Sequence, residues 1–347
     1  MEHKERFYRT IERKEVDRPA CWLGIPVETS YKQLFKYFRV KNFYEFKLKI
    51  NDDLWHVDVP YNDPPNNHIA CAFKFAKQGV IDYEKRTLTA PGFFENYHDP
   101  DKIDDFNWPD PANHIDPEEC KKAVEKVPEG YPIMVVYWSA HFQDVYSAFG
   151  MEKALINMLK NPEIVHAVNN KIIDFYLKAN KIFYDATKGK IDAVLIGNDF
   201  GAQKRLMISP KHIKNFALPG SKKLIDQAKN YGLKVFYHSC GSIFEIIPDL
   251  IDIGVDVIHP IQALATNMEP WRLKDEYGDK VSFCGGVDAQ NLLVYGAPHD
   301  VEVKVRELCK IFPTGLIISP SHEAILPDTK PENIYALFKK DYNISKS

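Results

Sequence analysis

From residue 117 onward, short wholly apolar runs alternate with longer segments of helical periodicity, and no other feature of the chain restricts its fold as strongly. Runs that qualify as strands fall at 132–138, 191–197, 233–238, 255–259, 280–285 and 316–319, with helical pattern between them, as at 118–126, 152–187, 221–231 and 300–311. Strands that are apolar throughout must be covered on both faces, which is the condition of a parallel sheet flanked by helices. Before this region, a helix at 4–14 ends in a charged run ahead of Pro19, strands are expected at 20–25 and 54–60, and one or two helices lie across 31–50. A hairpin pattern occupies 80–90, and the stretch 98–117 is dense in Asp, Asn and Pro, which punctuate loops.

A chain of 347 residues is long enough for one α/β barrel with insertions. The expected architecture is therefore a single (β/α)8 TIM-barrel domain over 1–347, with an N-terminal helical extension and a β-hairpin/loop insertion. An open doubly wound sheet is the alternative, but no Gly-x-Gly-x-x-Gly turn follows any expected strand.

Charge narrows the partners. A net charge of −3 with both signs scattered offers no footprint for nucleic acid or an anionic membrane. The first 16 residues lack the apolar core of a signal peptide, and no apolar run reaches the roughly 20 residues of a membrane helix, so a cytoplasmic location is expected. Six cysteines are too few and too dispersed for a disulfide framework.

In a barrel, the active site sits at the carboxyl ends of the strands. Polar residues gather there: Asn198 and Asp199, His238 to Cys240, His259, Asp288 with Gln290, and Ser321 to Glu323. The most pointed is Tyr237-His238-Ser239-Cys240-Gly241. Residues two apart in an extended segment share a side, so imidazole and thiolate could reach one Zn²⁺. A third ligand must come from another strand end, with Glu323 or His322 as candidates and Cys284 set lower because it falls in the body of its strand. Asp53, Glu28 and Asp199 are candidates for acid–base work, with Tyr146 as an orienting hydroxyl. No Gly-x-Ser-x-Gly elbow and no Walker loop is present.

These residues resemble the uroporphyrinogen decarboxylase superfamily, which includes cobalamin-dependent methyltransferases. The likeness begins with RFYRTIERKEVDRPACW, includes NDDLW and GNDFGAQKRLMISP, and is densest in VFYHSCGSIFEIIPDLIDIGVDVIHPIQ, FCGGVDAQNLLVYGAP and SPSHEAILPDTKPENI. The resemblance implies the same barrel. Aligned on Pro19, the two arginine positions that hold carboxylates in true decarboxylases fall on Gly24 and Glu28, which disfavours a polycarboxylated substrate. Arg205 and Arg86 are the only suggestive arginines elsewhere. The family's catalytic Asp would fall on Asp53, its Tyr on Tyr146 and its late His on His322.

The zinc-binding His-x-Cys pair of the methyltransferase branch matches His238 and Cys240, and its third ligand position falls on Glu323. The resemblance thus implies a zinc-dependent methyltransferase acting with cobalamin on a separate corrinoid protein, since this chain has no Asp-x-His-x-x-Gly signature. In that expectation Asp199, Gln203 and Glu28 meet the substrate. The alternatives are metal-free decarboxylation of a tetrapyrrole or smaller carboxylated substrate, with Asp53 stabilising a protonated pyrrole, and a non-catalytic tetrapyrrole- or corrinoid-binding barrel.

Overall fold

The computed structural model describes residues 1–62, Phe73, Phe75, 87–339 and Tyr342. The expected hairpin at 80–90 and Arg86 lie largely or wholly outside these residues. Nine strands are described: β1 (Ile25–Pro26), β2 (Trp55–Asp58), β3 (Ile133–Trp138), β4 (Ala193–Gly197), β5 (Lys234–His238), β6 (Val257–Ile261), β7 (Ser282–Val287), β8 (Leu316–Pro320) and β9 (Ala324–Ile325). Strands β2 to β8 pair in sequence order, all parallel, with helices between them.

The ring closes through residues 20–23. Trp22 N–H donates to Ile318 of β8 and Ile318 N–H to Ala20, while Asp53 N–H, just before β2, donates to Cys21. The strand expected at 20–25 is thus one bridge, Cys21 to Ile318, and then the short β1, which pairs with β9. Gly24 interrupts it with φ of +90°, a left-handed conformation open to glycine at little cost. A Cβ at Gly24 would lie 2.3 Å from the carbonyl oxygen of Glu323, so this glycine lets the first stave touch the loop after β8.

Side-chain alternation sorts the strands into two packed layers. Met134, Val136, Leu195, Phe236, Val257, Cys284 and Ile317 fill the barrel interior with Trp22, and Phe7 and Ile11 of helix His3–Ile11 plug its lower end. Val135, Tyr137, Val194, Ile196, Val235 and Tyr237 face outward into the larger core beneath the helices. By the same parity, Trp138, His238 and His259 continue the inward rows of Val136, Phe236 and Val257 to the top of the barrel.

Helix breaks follow local chemistry. The region 31–50 forms Glu28–Phe38 and Phe43–Ile50, separated where Arg39 turns left-handed and Asn42 caps the second helix by accepting from Glu45 N–H. The region 152–187 forms Met151–Lys160 and Pro162–Ala186, with Pro162 in the first turn of the second helix, where its missing N–H costs nothing. Among the described residues, no helix is long and apolar enough to cross a membrane.

Candidate metal centre at the barrel mouth

The carboxyl ends of β3, β4, β5, β6 and β8 converge on His238. Its Nε2 lies 3.2 Å from Asp199 Oδ1 and 3.4 Å from Cys240 Sγ. Its Nδ1 lies 3.0 Å from His259 Nδ1 and 3.5 Å from Glu323 Oε2. Among the described residues two groups of three donors result, Asp199–His238–Cys240 and His238–His259–Glu323, each with its ligand atoms within 4.8 Å of one another.

Backbone contacts hold the first group together. Cys240 N–H donates to Asp199 Oδ1 at 2.9 Å, Gln143 donates to Asp199 Oδ2 at 3.2 Å, and Gly241 N–H donates to Gln262 at 2.7 Å. Trp138 stands edge-on to His238, with ring centroids 5.0 Å apart. Trp138 and Ser139 both have left-handed backbones, with φ of 56° and 46°. Two such non-glycine residues in succession are strained, on the order of 1–3 kcal/mol each, and here the strain turns the end of β3 across the mouth.

The charges support one another. Burial alone would lower His238, but Glu323, Asp199 and Cys240 hold its pKa well above the ordinary imidazole value. Burial would raise Asp199 and Cys240; hydrogen bonds with His238 bring both below their ordinary values. His322, bonded to Cys240, is also raised. Burial and the neighbouring imidazolium keep His259 neutral. The cluster therefore holds an imidazolium among anionic donors, and a divalent cation in place of that proton would satisfy the same groups. His259 Nε2 and Glu323 Oε2 are buried without a hydrogen-bond partner, which also fits donors awaiting a ligand.

His238, Cys240, Asp199, Glu323 and His322 all line one cavity of about 270 Å³, together with Leu88, Trp138, Ala140, Gln143, Asp144 and Ser147. A second cavity of about 250 Å³ adjoins it across His322 and includes Gln203, Gln262, Asp288, Gln290 and Ser321. The Gln203 amide is anchored to the Leu264 carbonyl at 2.8 Å.

The sequence-derived ligand set His238, Cys240 and Glu323 is brought to one site but divided over the two nitrogens of His238. Asp199 stands as third donor beside His238 and Cys240, and Glu323 joins His238 and His259 on the other side. Cys284 is fully buried inside the barrel, in the body of β7.

Other sequence candidates stand apart. Asp53 precedes β2, at the opposite end of the barrel from His238, and is 0% exposed. It is gripped by His3 at 2.7 Å, Arg6 at 2.8 Å and Arg18 at 2.6 and 3.0 Å. Burial would raise its pKa, but these partners lower it. The buried Asp53 carboxylate thus anchors the N-terminal segment, and motif alignment missed this because sequence proximity to a strand does not say which end of it a residue occupies. Tyr146 is buried in helix His141–Phe149 against Phe142, its hydroxyl without a hydrogen-bond partner, and lines neither cavity. Glu28 is exposed at the start of its helix and Arg205 is exposed after β4; neither is among the described residues lining these two cavities.

Trp138, Gln143, Asp144 and Asp58 were not singled out from sequence. Asp58 ends β2 in the ring of strand ends, where loss of solvent around its carboxyl pushes it up to about 6 although the residue is partly exposed. The strand-end rule that found Asp199 would have found Asp58 and Trp138 as well. Gln143 and Asp144 sit in the first turn of a helix and carry no such signal.

An α/β barrel whose mouth gathers His, Cys and carboxylate donors defines the class of this protein. The model of the family described as uroporphyrinogen decarboxylase (URO-D) matches residues 78–340, and the chain belongs to that family. A methyltransferase from Methanosarcina mazei shares the fold, with a TM-score of 0.68 at 16% identity over 97% of this chain and 97% of that one. No curated protein matches the chain.

Proposed function

We propose that this protein is a zinc-dependent methyltransferase that exchanges a methyl group between a small thiol or methylated substrate and a corrinoid carried by a separate protein. The observation that carries the proposal is the Asp199–His238–Cys240 donor group opening on a small cavity. Three protein ligands of mixed oxygen, nitrogen and sulfur character leave a fourth position for substrate, as catalytic zinc sites do. Bound there, Zn²⁺ would supply Lewis acidity, keeping a thiol as thiolate at neutral pH or polarising a methylated heteroatom.

The surrounding residues have separable tasks. Cys240 and Asp199 balance the charge of the metal, and the hydrogen bond from Cys240 N–H fixes the Asp199 carboxylate. Glu323 and His259 face the other nitrogen of His238 and set the orientation of its ring, the usual outer support of a metal-bound imidazole. Gln143 steadies the second oxygen of Asp199. His322, shared by both cavities, is placed to meet substrate. Decarboxylation of a polycarboxylate is less well supported, because no Lys or Arg is among the described residues lining either cavity.

Elemental analysis of the purified chain tests the proposal. About one zinc per chain is expected, lost from His238→Ala, Cys240→Ala and Asp199→Ala alike and retained in Asp53→Asn. Absence of zinc after incubation of a folded protein with the metal would overturn it.

A further inference from the structure

Asp144 lies in the first turn of helix His141–Phe149, lines the cavity that the donor group opens on, and is 6% exposed. The Tyr176 hydroxyl, from helix Pro162–Ala186, donates to Oδ2 at 2.5 Å. Among the described residues, no hydrogen bond reaches Oδ1. Burial raises the carboxyl to about 7, the Tyr176 bond holding it from rising further, so the group changes charge near neutrality. A structural carboxylate so enclosed ordinarily gains a cation, as Asp52 and Asp53 do in this chain.

The groups around Asp144 leave it as the free proton carrier. On its own helix, His141 is neutral, lowered to about 4 by burial and tied to Asn169 and Ser221. Tyr146 is raised beyond any ordinary titration by burial. Across the cavity stand Asp199, His238, Cys240, His322 and Glu323, all engaged with one another. No Lys or Arg is among the described lining residues, whereas Asp144, Asp199 and Glu323 are, so a permanently anionic ligand meets like charge.

We propose that Asp144 Oδ1 is the proton acceptor of the site, serving a protic substrate such as an uncharged thiol, and that Tyr176 is its positioning residue. The inference rests on the methyltransferase proposal and names its substrate class. In the step, the S–H bond breaks with its electron pair left on sulfur, and the proton forms an O–H bond with Oδ1. Run backward, the same oxygen returns the proton to sulfur. No oxidant or reductant takes part.

The test is calorimetric binding of 2-mercaptoethanol to the zinc-loaded chain at about pH 8, in two buffers of different ionisation heat, which counts protons released to solvent. The wild-type chain should release clearly fewer protons than Asp144→Asn, which should release about one, because the thiolate bound beside Asp144 lifts its carboxyl further and keeps part of the thiol proton there. Tyr176→Phe, which retains the acid but frees it from its donor, should move the pH at which release sets in upward. Equal release from all three chains, with the thiol still bound, overturns the role of Asp144 alone. A chain that takes up no zinc and binds no thiol overturns the methyltransferase proposal and this inference together. 2-Mercaptoethanesulfonate should bind at least tenfold more weakly than the uncharged thiol, a cost of about 1.4 kcal/mol; equal binding overturns the assignment of an uncharged substrate.

Discussion

At the lower end of the barrel, every carboxylate oxygen of Asp52 and Asp53 meets a cation or a backbone N–H: Lys47, Leu23 and Leu54 for the first, His3, Arg6, Arg18 and Cys21 for the second. At the mouth, Asp199, Glu323, Asp144, Cys240 and two buried histidines gather with no Lys or Arg among the described lining residues, and His259 Nε2, Glu323 Oε2 and Asp144 Oδ1 have no hydrogen-bond partner among those residues. Both ends bury charge. The lower end is complete in itself and ties the N-terminal segment to the barrel, whereas the mouth is completed only by a proton or a ligand. A buried acidic residue is thus informative through what it lacks, since full pairing marks a structural role and incomplete pairing marks a site.

The sharpest way to break this contrast is to unpair the lower end. Asp53→Ala leaves Arg6 and Arg18 buried without their carboxylate and should cost about 3–5 kcal/mol in denaturant unfolding. Zinc content per folded chain should stay unchanged. Loss of metal binding in a folded Asp53→Ala protein would mean that the two ends are not independent.

Next in size is a pH effect at the mouth. Asp144 is raised from 3.8 to about 7 in the folded chain, so below pH 4 its contribution to stability is complete, and as pH rises to 7 it is lost. The whole effect is on the order of 4 kcal/mol at most, since each tenfold change in proton affinity is worth about 1.4 kcal/mol. Asp144→Asn should therefore become more stable relative to wild type between pH 4 and 8, and parallel curves would show that Asp144 does not titrate there.

Gly24→Ala should cost about 1–3 kcal/mol, because the position is left-handed and the added carbon meets the Glu323 carbonyl. If Glu323 orients His238, this substitution should also weaken zinc affinity, measured by chelator competition, although residue 24 touches no donor atom. The smallest expected effect is Gln203→Ala, within about 0.5 kcal/mol of wild-type stability, because the side chain is exposed and makes a single bond.

Much of the fold was legible because it depends on local periodicity. The strands at 132–138, 191–197, 233–238 and 316–319 fall within two residues of β3, β4, β5 and β8 at each end. β6 and β7 run two residues further than expected, carrying the strand past His259 to Ile261 and past Gly285 to Val287. The first stave was legible as an apolar run but not as a broken one, since the break at Gly24 answers to a loop some 300 residues away.

For the site, the order of residues along the chain determined that His238 and Cys240 share one side, and strand parity carried His238 and His259 inward with Phe236 and Val257. Which carboxylate joins them was decided only by the closed barrel, because Asp199, Glu323 and Asp144 come from three different connections whose separation depends on strand register and helix packing. The same closure sent Asp53 to the far end, beside two arginines, and placed Asp144 beside Tyr176. Residue type and spacing therefore determined which chemistry the chain carries; tertiary packing decided which groups are paired and which are left to act, because pairing is a matter of distances that no single segment of sequence contains.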